Sequence, residues 1–120
     1  MEQNELVENL IQELRRGVIT LAVLTQLRDE QYGYSVIKQL AEKGFEVDQG
    51  TLYPLLRRME TQGLLESKWR IEEARPRRYY VISEQGRHIL PRLTSEWCKI
   101  IETINPLLDG INRTEENGND

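Results

Sequence analysis

The chain has 120 residues, of which 38% are hydrophobic, so it can build one ordinary domain around one modest core. Its formal net charge of −4 disfavours a nucleic-acid partner at first sight. No apolar run approaches the ~20 residues that span a bilayer. The acidic start lacks the features of a secretory signal, and the single cysteine, Cys98, cannot form an intramolecular disulfide. We therefore expect a cytoplasmic protein.

The first third of the chain has the apolar spacing of α-helices. Residues 5–14 place leucines and one isoleucine on a single helical face, which a short helix cannot bury alone. Residues 17–27 are apolar on most sides and predict a second, buried helix. A further helix is expected from about residue 32 to residue 43, and Gly44 is suited to the left-handed conformation that often ends a helix.

The next helix is predicted over residues 48–62. Asp48 can cap its amino terminus, and Gly63 can end it. With Asp48 as the cap, Pro54 lies inside the helix and removes one hydrogen bond. Two alternatives stay open: Thr51 is the true cap, or the first turn is distorted and Gly50 relieves the clash with the proline ring. The apolar stripe of this helix consists of Leu52, Leu55, Leu56 and Met59.

The period then changes from 3.6 to 2 residues. Residues 65–71 alternate between the two faces of a strand, residues 72–76 form a polar loop, and residues 77–82 form a second strand. Together they predict a β-hairpin whose tip, residues 75–78, is basic. Ser83 can cap a final helix from residue 84 to about 109, whose apolar steps of three and four resemble a coiled-coil seam. Pro91 should kink that helix, and the polar residues 111–120 are expected to be disordered.

This order of elements predicts a winged helix-turn-helix, a mainly α fold with a small β-hairpin and a long C-terminal dimerisation helix. Residues 48–62 are the expected reader helix. The charge is polarised, since residues 57–80 carry seven basic and four acidic side chains within an acidic chain. Gln and Arg side chains can bond base edges, and Tyr can reach phosphates. The candidate DNA contacts are Tyr34, Lys38, Gln49, Gly50, Thr51, Tyr53, Pro54, Arg57, Arg58, Arg75, Arg77 and Arg78.

Two groups of these contacts lie outside the reader helix. Tyr34 and Lys38 are four residues apart and share a face of the helix that crosses the DNA backbone in such modules. The basic hairpin tip, residues 75–78, can bind the sugar-phosphate backbone or enter the minor groove. Because Arg77 and Arg78 point to opposite faces of a regular strand, at most one of them should face DNA. The alternative is that these polar side chains form an ordinary solvated face.

Two stretches resemble the PadR family of bacterial regulators. One is Tyr32-Gly33-Tyr34 followed by residues 49–65, which include Leu-Tyr-Pro at positions 52–54; the other is residues 74–86, which include Arg-Arg-Tyr-Tyr at positions 77–80. The similarity covers about residues 14–110, with Ala74 at a position where the family often has glycine. It implies a winged-helix repressor that dimerises through its last helix. It also implies that Trp97 lines an effector pocket at the dimer interface, where a planar aromatic ligand could stack; packing on the apolar stripe is the alternative.

We therefore expect three segments: an N-terminal helix with the winged-helix domain over residues 1–82, a dimerisation helix over 83–110, and the tail. Residues 84–109 of two copies should pair, with residues 6–14 packing onto the partner. The two reader helices would then bind half-sites about one helical turn apart on a palindromic duplex. The expected dimer contacts are Leu6, Leu10, Leu93, Trp97, Ile100, Ile101, Ile104 and Leu108.

No enzyme, cofactor or metal site is expected. His88 and Cys98 are ten residues apart and lack the orienting acid that a nucleophile and its base require. Two such side chains also provide too few ligands for a structural metal. The main alternative to a DNA-binding regulator is a winged-helix protein-interaction module that does not bind DNA, which the acidic net charge favours.

Overall fold

The computed structural model describes the backbone of residues 2–117 and the side chains of residues 2–111. Four helices and a small antiparallel sheet confirm the predicted mainly α fold with a β-hairpin. The elements in chain order are α1 (Gln3–Gln26), β1 (Gln31–Tyr32), α2 (Gly33–Glu42), α3 (Gln49–Thr61), β2 (Leu65–Glu72), β3 (Arg75–Ile82) and α4 (Glu84–Asn117). The chain divides into two compact units, Met1–Leu90 and Pro91–Asp120, and α4 contributes residues to both.

The first helix is continuous, whereas the sequence predicted separate helices over residues 5–14 and 17–27. Gly17 lies inside α1, and a single glycine within a helix costs only about 1 kcal/mol relative to alanine. The apolar pattern changes near this point because the two halves have different surroundings. Val23 and Leu24 are fully buried, while Leu6 and Leu10 are about half exposed.

The core of the first unit lies between the C-terminal half of α1, α2, α3 and the inner face of the sheet. Its buried side chains are Val23, Leu24, Leu27, Val36, Leu40, Val47, Leu52, Leu55, Leu56, Met59, Leu65, Tyr80 and Ile82. Gly44 ends α2 as predicted: it has φ +89°, and the next amide, that of Phe45, bonds to the carbonyl of Leu40 at 2.8 Å. This tight end orients the link that leads into α3.

The sheet has the order β1-β3-β2, and the hairpin of β2 and β3 is called the wing below. The two-residue strand β1 was not predicted, because two residues are too few to show an alternating pattern. The wing turn is also tighter than the expected loop 72–76. Arg75 and Pro76 belong to β3, and only Glu73 and Ala74 form the turn, with φ +50° and +63°. Such paired left-handed residues match the twist of a hairpin.

Both helices that carry prolines are continuous. Asp48 occupies the N-cap position of α3, so Pro54 is an internal proline of that helix. Pro91 and Pro106 likewise lie within α4. That helix extends to Asn117, beyond the end predicted near residue 109, so residues 111–117 are helical where disorder was expected. The sequence there contains no proline after Pro106 and no glycine between Gly110 and Gly118 that could end the helix. Residues 118–120 of the expected tail lie outside the described residues.

None of the helices within residues 2–117 is long and apolar enough to cross a membrane.

Candidate nucleic-acid interface

The outer side of α3 follows from its buried stripe. With Leu52, Leu55 and Met59 in the core, the opposite side presents exposed polar and basic residues. The exposed candidates on this side are Gln49, Gly50, Thr51, Pro54, Arg57 and Arg58. Neither Arg57 nor Arg58 forms an ion pair with a described residue, so both guanidinium groups are available for an anionic partner.

Tyr53 differs from the other residues of this side because it is half-buried and packs against the core. Its ring lies over Gly33 at the start of α2, where an added Cβ would come within 2.4 Å of the Tyr53 Cε1 atom. Glycine at position 33 therefore lets the tyrosine ring pack between α2 and α3. The two helices of the helix-turn-helix are held together at this contact.

The first turn of α3 is organised by Asp48. Its backbone carbonyl accepts bonds from the amides of Thr51 and Leu52 at 3.2 and 3.0 Å, which closes the first helical turn. The Thr51 hydroxyl donates to the Asp48 Oδ1 atom at 2.6 Å, and this bond, together with nearby backbone amides, lowers the pKa of Asp48. Asp48 therefore remains ionised at the amino end of the candidate reader helix.

On the wing, Arg78 is engaged within the protein. One of its terminal nitrogens lies 2.7 Å from the Oε1 atom of Glu60 on α3, and its Nε donates to the Ser67 hydroxyl at 3.1 Å. That hydroxyl donates in turn to the second carboxylate oxygen of Glu60 at 2.5 Å. Arg78 thus joins the wing to α3, and of the two wing arginines predicted to point to opposite faces, it is the one on the helix side.

The other face of the wing carries Arg77. Its guanidinium lies 4.6 Å from the centre of the Tyr32 ring, and Tyr32 stacks on the exposed Tyr34 with the ring centres 6.4 Å apart. Arg70 on the same face pairs with Glu30 at 2.5 Å. Cations and aromatic rings therefore alternate here, and much of the positive charge is already paired.

Two further candidates are exposed without an ionic partner among the described residues. Arg75 lies beside the wing turn, and Lys38 lies on α2. Together with Arg57 and Arg58, they place unpaired cations on three elements of the first unit. The ring contacts of Tyr32, the role of Glu60 and the exposure of Trp69 were all missed from the sequence, although the predicted alternation over residues 65–71 already put Ser67 and Trp69 on one face.

The second unit consists of the rest of α4 and bears an apolar stripe. Leu93, Ile100, Ile104 and Leu108 are 37–51% exposed in the single chain, and Trp97 is 36% exposed. Ile101 is partly covered. In the first unit, Leu6 and Leu10 of α1 are exposed at 47% and 55%. All these positions were predicted to lie at a dimer interface.

The chain also has one histidine and one cysteine. His88 and Cys98 are both exposed. No group of three or more His, Cys, Asp or Glu side chains that could hold a metal is found in the described part of the chain.

Comparison with known proteins identifies the family. The model of the "Transcriptional regulator PadR-like family" matches residues 20–92. The chain is 34% identical over 109 residues to the transcriptional regulator Rv3488 of Mycobacterium tuberculosis, which covers 90% of this chain and 99% of that protein. A crystal structure of a PadR family regulator from Eggerthella lenta is 39% identical, covers 88% of this chain and 94% of its own, and superposes with a TM-score of 0.79.

A PadR-like transcriptional regulator of Bacillus cereus is 31% identical, covers 80% of this chain and 96% of its own, and has a TM-score of 0.69. The chain therefore belongs to the PadR-like family of transcriptional regulators, which implies DNA binding through the winged helix. Members of this family are regulators and not enzymes.

Proposed function

We propose that the protein is a homodimeric repressor that binds a palindromic operator through α3 and the wing and is released by a small-molecule effector. The observation that carries this proposal is the row of unpaired cations on the exposed side of α3 and at the wing turn, on a fold of the PadR-like family. In an acidic chain, such a row is the electrostatic footprint of a phosphate backbone.

Base recognition is assigned to Gln49 and Arg57, whose side chains can form paired hydrogen bonds with adenine and guanine edges. Arg58 and Arg75 would bind phosphates, and Thr51, with Gly50 and Pro54 beside it, would lie against the backbone where the helix enters the groove. Lys38 and Tyr34 would hold the flanking phosphates from α2 and its start.

Dimerisation is supported by apolar surface that the single chain leaves uncovered. Exposed leucines and isoleucines recur on α4 with coiled-coil spacing, and a second exposed stripe lies on the first half of α1. A second copy would bury these surfaces and would present two reader helices with twofold symmetry, as a palindromic operator requires.

Effector release is assigned to Trp97. Its ring belongs to the apolar stripe of α4 and is 36% exposed in the single chain, so a planar aromatic ligand could stack on it. An effector relieves repression only if it binds the free dimer more tightly than the operator-bound dimer. Calorimetric titrations of both forms with the same compound measure this difference, and equal affinities would contradict the release mechanism.

The function as a whole is tested by selecting bound duplexes from a random pool with the full-length protein. We expect a palindromic consensus whose half-sites lie about one helical turn apart, or a multiple of that distance. Sedimentation of the protein alone and on the selected duplex gives the stoichiometry. Failure to enrich any sequence would overturn the proposal and favour a protein-interaction module.

Two variants then separate base recognition from phosphate binding. Arg57→Ala is expected to weaken binding to the selected duplex by ~1–3 kcal/mol, with less effect on a scrambled duplex, if Arg57 bonds a base. Arg77→Ala is expected to weaken both duplexes alike and to flatten the dependence of affinity on salt. Gel shifts over a salt series measure both effects, and unchanged binding by both variants would show that another surface binds DNA.

A further inference from the structure

Two large apolar side chains of the wing are uncovered in the folded chain. Trp69 is 64% exposed and Ile71 is 80% exposed. They lie two residues apart on β2, so both project from the same face of the sheet. Because β2 is an edge strand, two exposed apolar side chains on it would favour aggregation. We therefore expect a partner to cover them.

The face that carries this pair is the one directed toward α3. In the strand register, Ser67 lies opposite Tyr80 and Trp69 lies opposite Arg78. Ser67 and Arg78 both bond to Glu60 of α3, so they mark where the wing and the helix meet. Trp69 and Ile71 continue the same face toward the wing turn, beyond that contact, and they therefore flank the exposed side of the candidate reader helix.

Arg78 lies beside the apolar pair, and Arg57 lies on the helix that this face of the sheet contacts. The guanidinium of Arg78 lies 5.8 Å from the Trp69 ring centre and is fixed there by Glu60. Arg57 lies three residues before Glu60 on α3 and forms no ion pair with a described residue. Arg75, beside the wing turn, lies opposite Glu72 in the register and therefore projects from the other face of the hairpin. A surface that combines apolar side chains with a cation suits a DNA strand, which offers both deoxyribose and phosphate.

Resting on the DNA binding proposed above, we infer that Trp69 and Ile71 pack against the deoxyribose rings of the duplex strand that runs between the groove read by α3 and the wing turn. Charge complementarity favours this occupant, because an apolar protein surface would have to bury Arg57 without a phosphate to pair it. Arg78 is a positioning residue in this arrangement: Glu60 neutralises its charge, and its guanidinium lies close to the indole ring.

The two tryptophans allow a direct measurement. In Trp97→Phe, Trp69 is the only tryptophan left, so its fluorescence reports on the wing alone. We expect a mixed-sequence 30-bp duplex at low salt to lower acrylamide quenching of Trp69 about twofold, because a ring packed on sugars is shielded from a neutral quencher. Fluorescence anisotropy of a dye on the DNA reports binding independently in the same samples.

Affinity measurements supply the second arm. Trp69→Ala is expected to weaken duplex binding about tenfold, because it removes the burial of an aromatic side chain. The slope of log affinity against log salt should stay unchanged because no cation is lost. Trp69→Phe should retain most of the affinity. Arg75→Gln is the matched comparison on the same wing, since it should lower the slope itself. Thermal unfolding of Trp69→Ala should match the parent, as the side chain is mostly exposed.

The outcomes are distinguishable. Duplex binding by anisotropy, with unchanged quenching of Trp69, would overturn the inference and leave the proposed DNA binding intact. Absence of duplex binding at low salt by the unsubstituted protein, measured by the same anisotropy assay, would overturn both. If acrylamide quenching of Trp69 falls as the protein concentration is raised without DNA, a second copy covers the pair. If Trp69→Ala reduces the slope of log affinity against log salt, the indole acts through the cations. Either result overturns the inference.

Discussion

Arg78 on β3 and Glu60 on α3 are 18 positions apart in the chain, and their charged groups meet at 2.7 Å. Both side chains are about one-third exposed, so water screens the pair only in part. Ser67 completes the contact by bonding to both partners. The ion pair therefore fixes the base of the wing against the helix whose exposed side carries Arg57.

We predict that Glu60 and Arg78 are energetically coupled. Glu60→Gln and Arg78→Met should each lower the free energy of unfolding by about 1 kcal/mol, because each leaves a half-buried polar partner without its counterpart. The double variant should be destabilised by less than the sum of the two, since the second substitution removes a group that has already lost its partner. Urea unfolding of the four proteins measures the coupling.

Arg77 provides the matched control for this cycle. It neighbours Arg78 but lies on the other face of the wing, against Tyr32. Arg77→Met combined with Glu60→Gln should therefore be additive within experimental error. Additive behaviour of the Arg78 cycle as well would mean that the ion pair does not hold the wing to α3.

Helix α3 was predictable because the pattern that defines it lies within its own residues. The apolar stripe of residues 48–62 determines which side is buried, and the residues between the stripe positions are then exposed. The same reasoning placed Arg77 and Arg78 on opposite faces. It could not tell which of them faces α3, because that depends on the pairing of Ser67 with Tyr80 and on the contact with Glu60, both of which involve distant parts of the chain.

Errors in the predicted elements also have physical causes. The change of apolar pattern near Gly17 indicated two helices. A helix nevertheless continues through a single glycine, even where the set of side chains that it buries changes. The wing turn consists of Glu73 and Ala74, and neither is a glycine or an asparagine, the residues that usually mark left-handed turns. A loop of five polar residues was therefore expected where the strands extend almost to the tip.

The hydrogen bond between Thr51 and Asp48 predicts a pH dependence. Because this bond lowers the pKa of Asp48 below its ordinary value of 3.8, Asp48 contributes stability that is present above that pH and is lost as the pH falls through the lowered pKa. Thr51→Val should return the pKa toward 3.8 and reduce this acid-side contribution, while the backbone amides keep part of it. Carboxyl carbon shifts followed by NMR over an acid titration measure the pKa.

Thr61→Val is the control for that titration. The Thr61 hydroxyl bonds to the backbone carbonyl of Arg57 at 3.0 Å and not to a carboxylate, so the pKa of Asp48 should not change. An equal shift in both variants would indicate a general loosening of α3 and would contradict the assigned cause.

Two glycines in helices should respond oppositely to alanine. Gly86 lies in the first turn of α4, where an added Cβ would be 2.4 Å from the Leu64 carbonyl oxygen and 2.7 Å from the Ile82 Cγ1 atom. Gly86→Ala should therefore destabilise the first unit by about 1–3 kcal/mol. At Gly17 no heavy atom lies within 4 Å of an added Cβ, and Gly17→Ala should stabilise α1 by about 1 kcal/mol. Thermal and urea unfolding measure both, and the same sign for the two variants would contradict the packing at Gly86.

The wing turn stores backbone strain that a single substitution can relieve. Ala74 has φ +63°, a left-handed conformation that disfavours a side chain but suits glycine. Ala74→Gly is expected to raise the free energy of unfolding by about 1 kcal/mol, less the entropy that glycine adds to the unfolded chain. Ala41→Gly, the same substitution in the last turns of α2, should instead lower it by about 1 kcal/mol. Urea unfolding compares the two, and a destabilised Ala74→Gly would show that the turn is not left-handed at this residue.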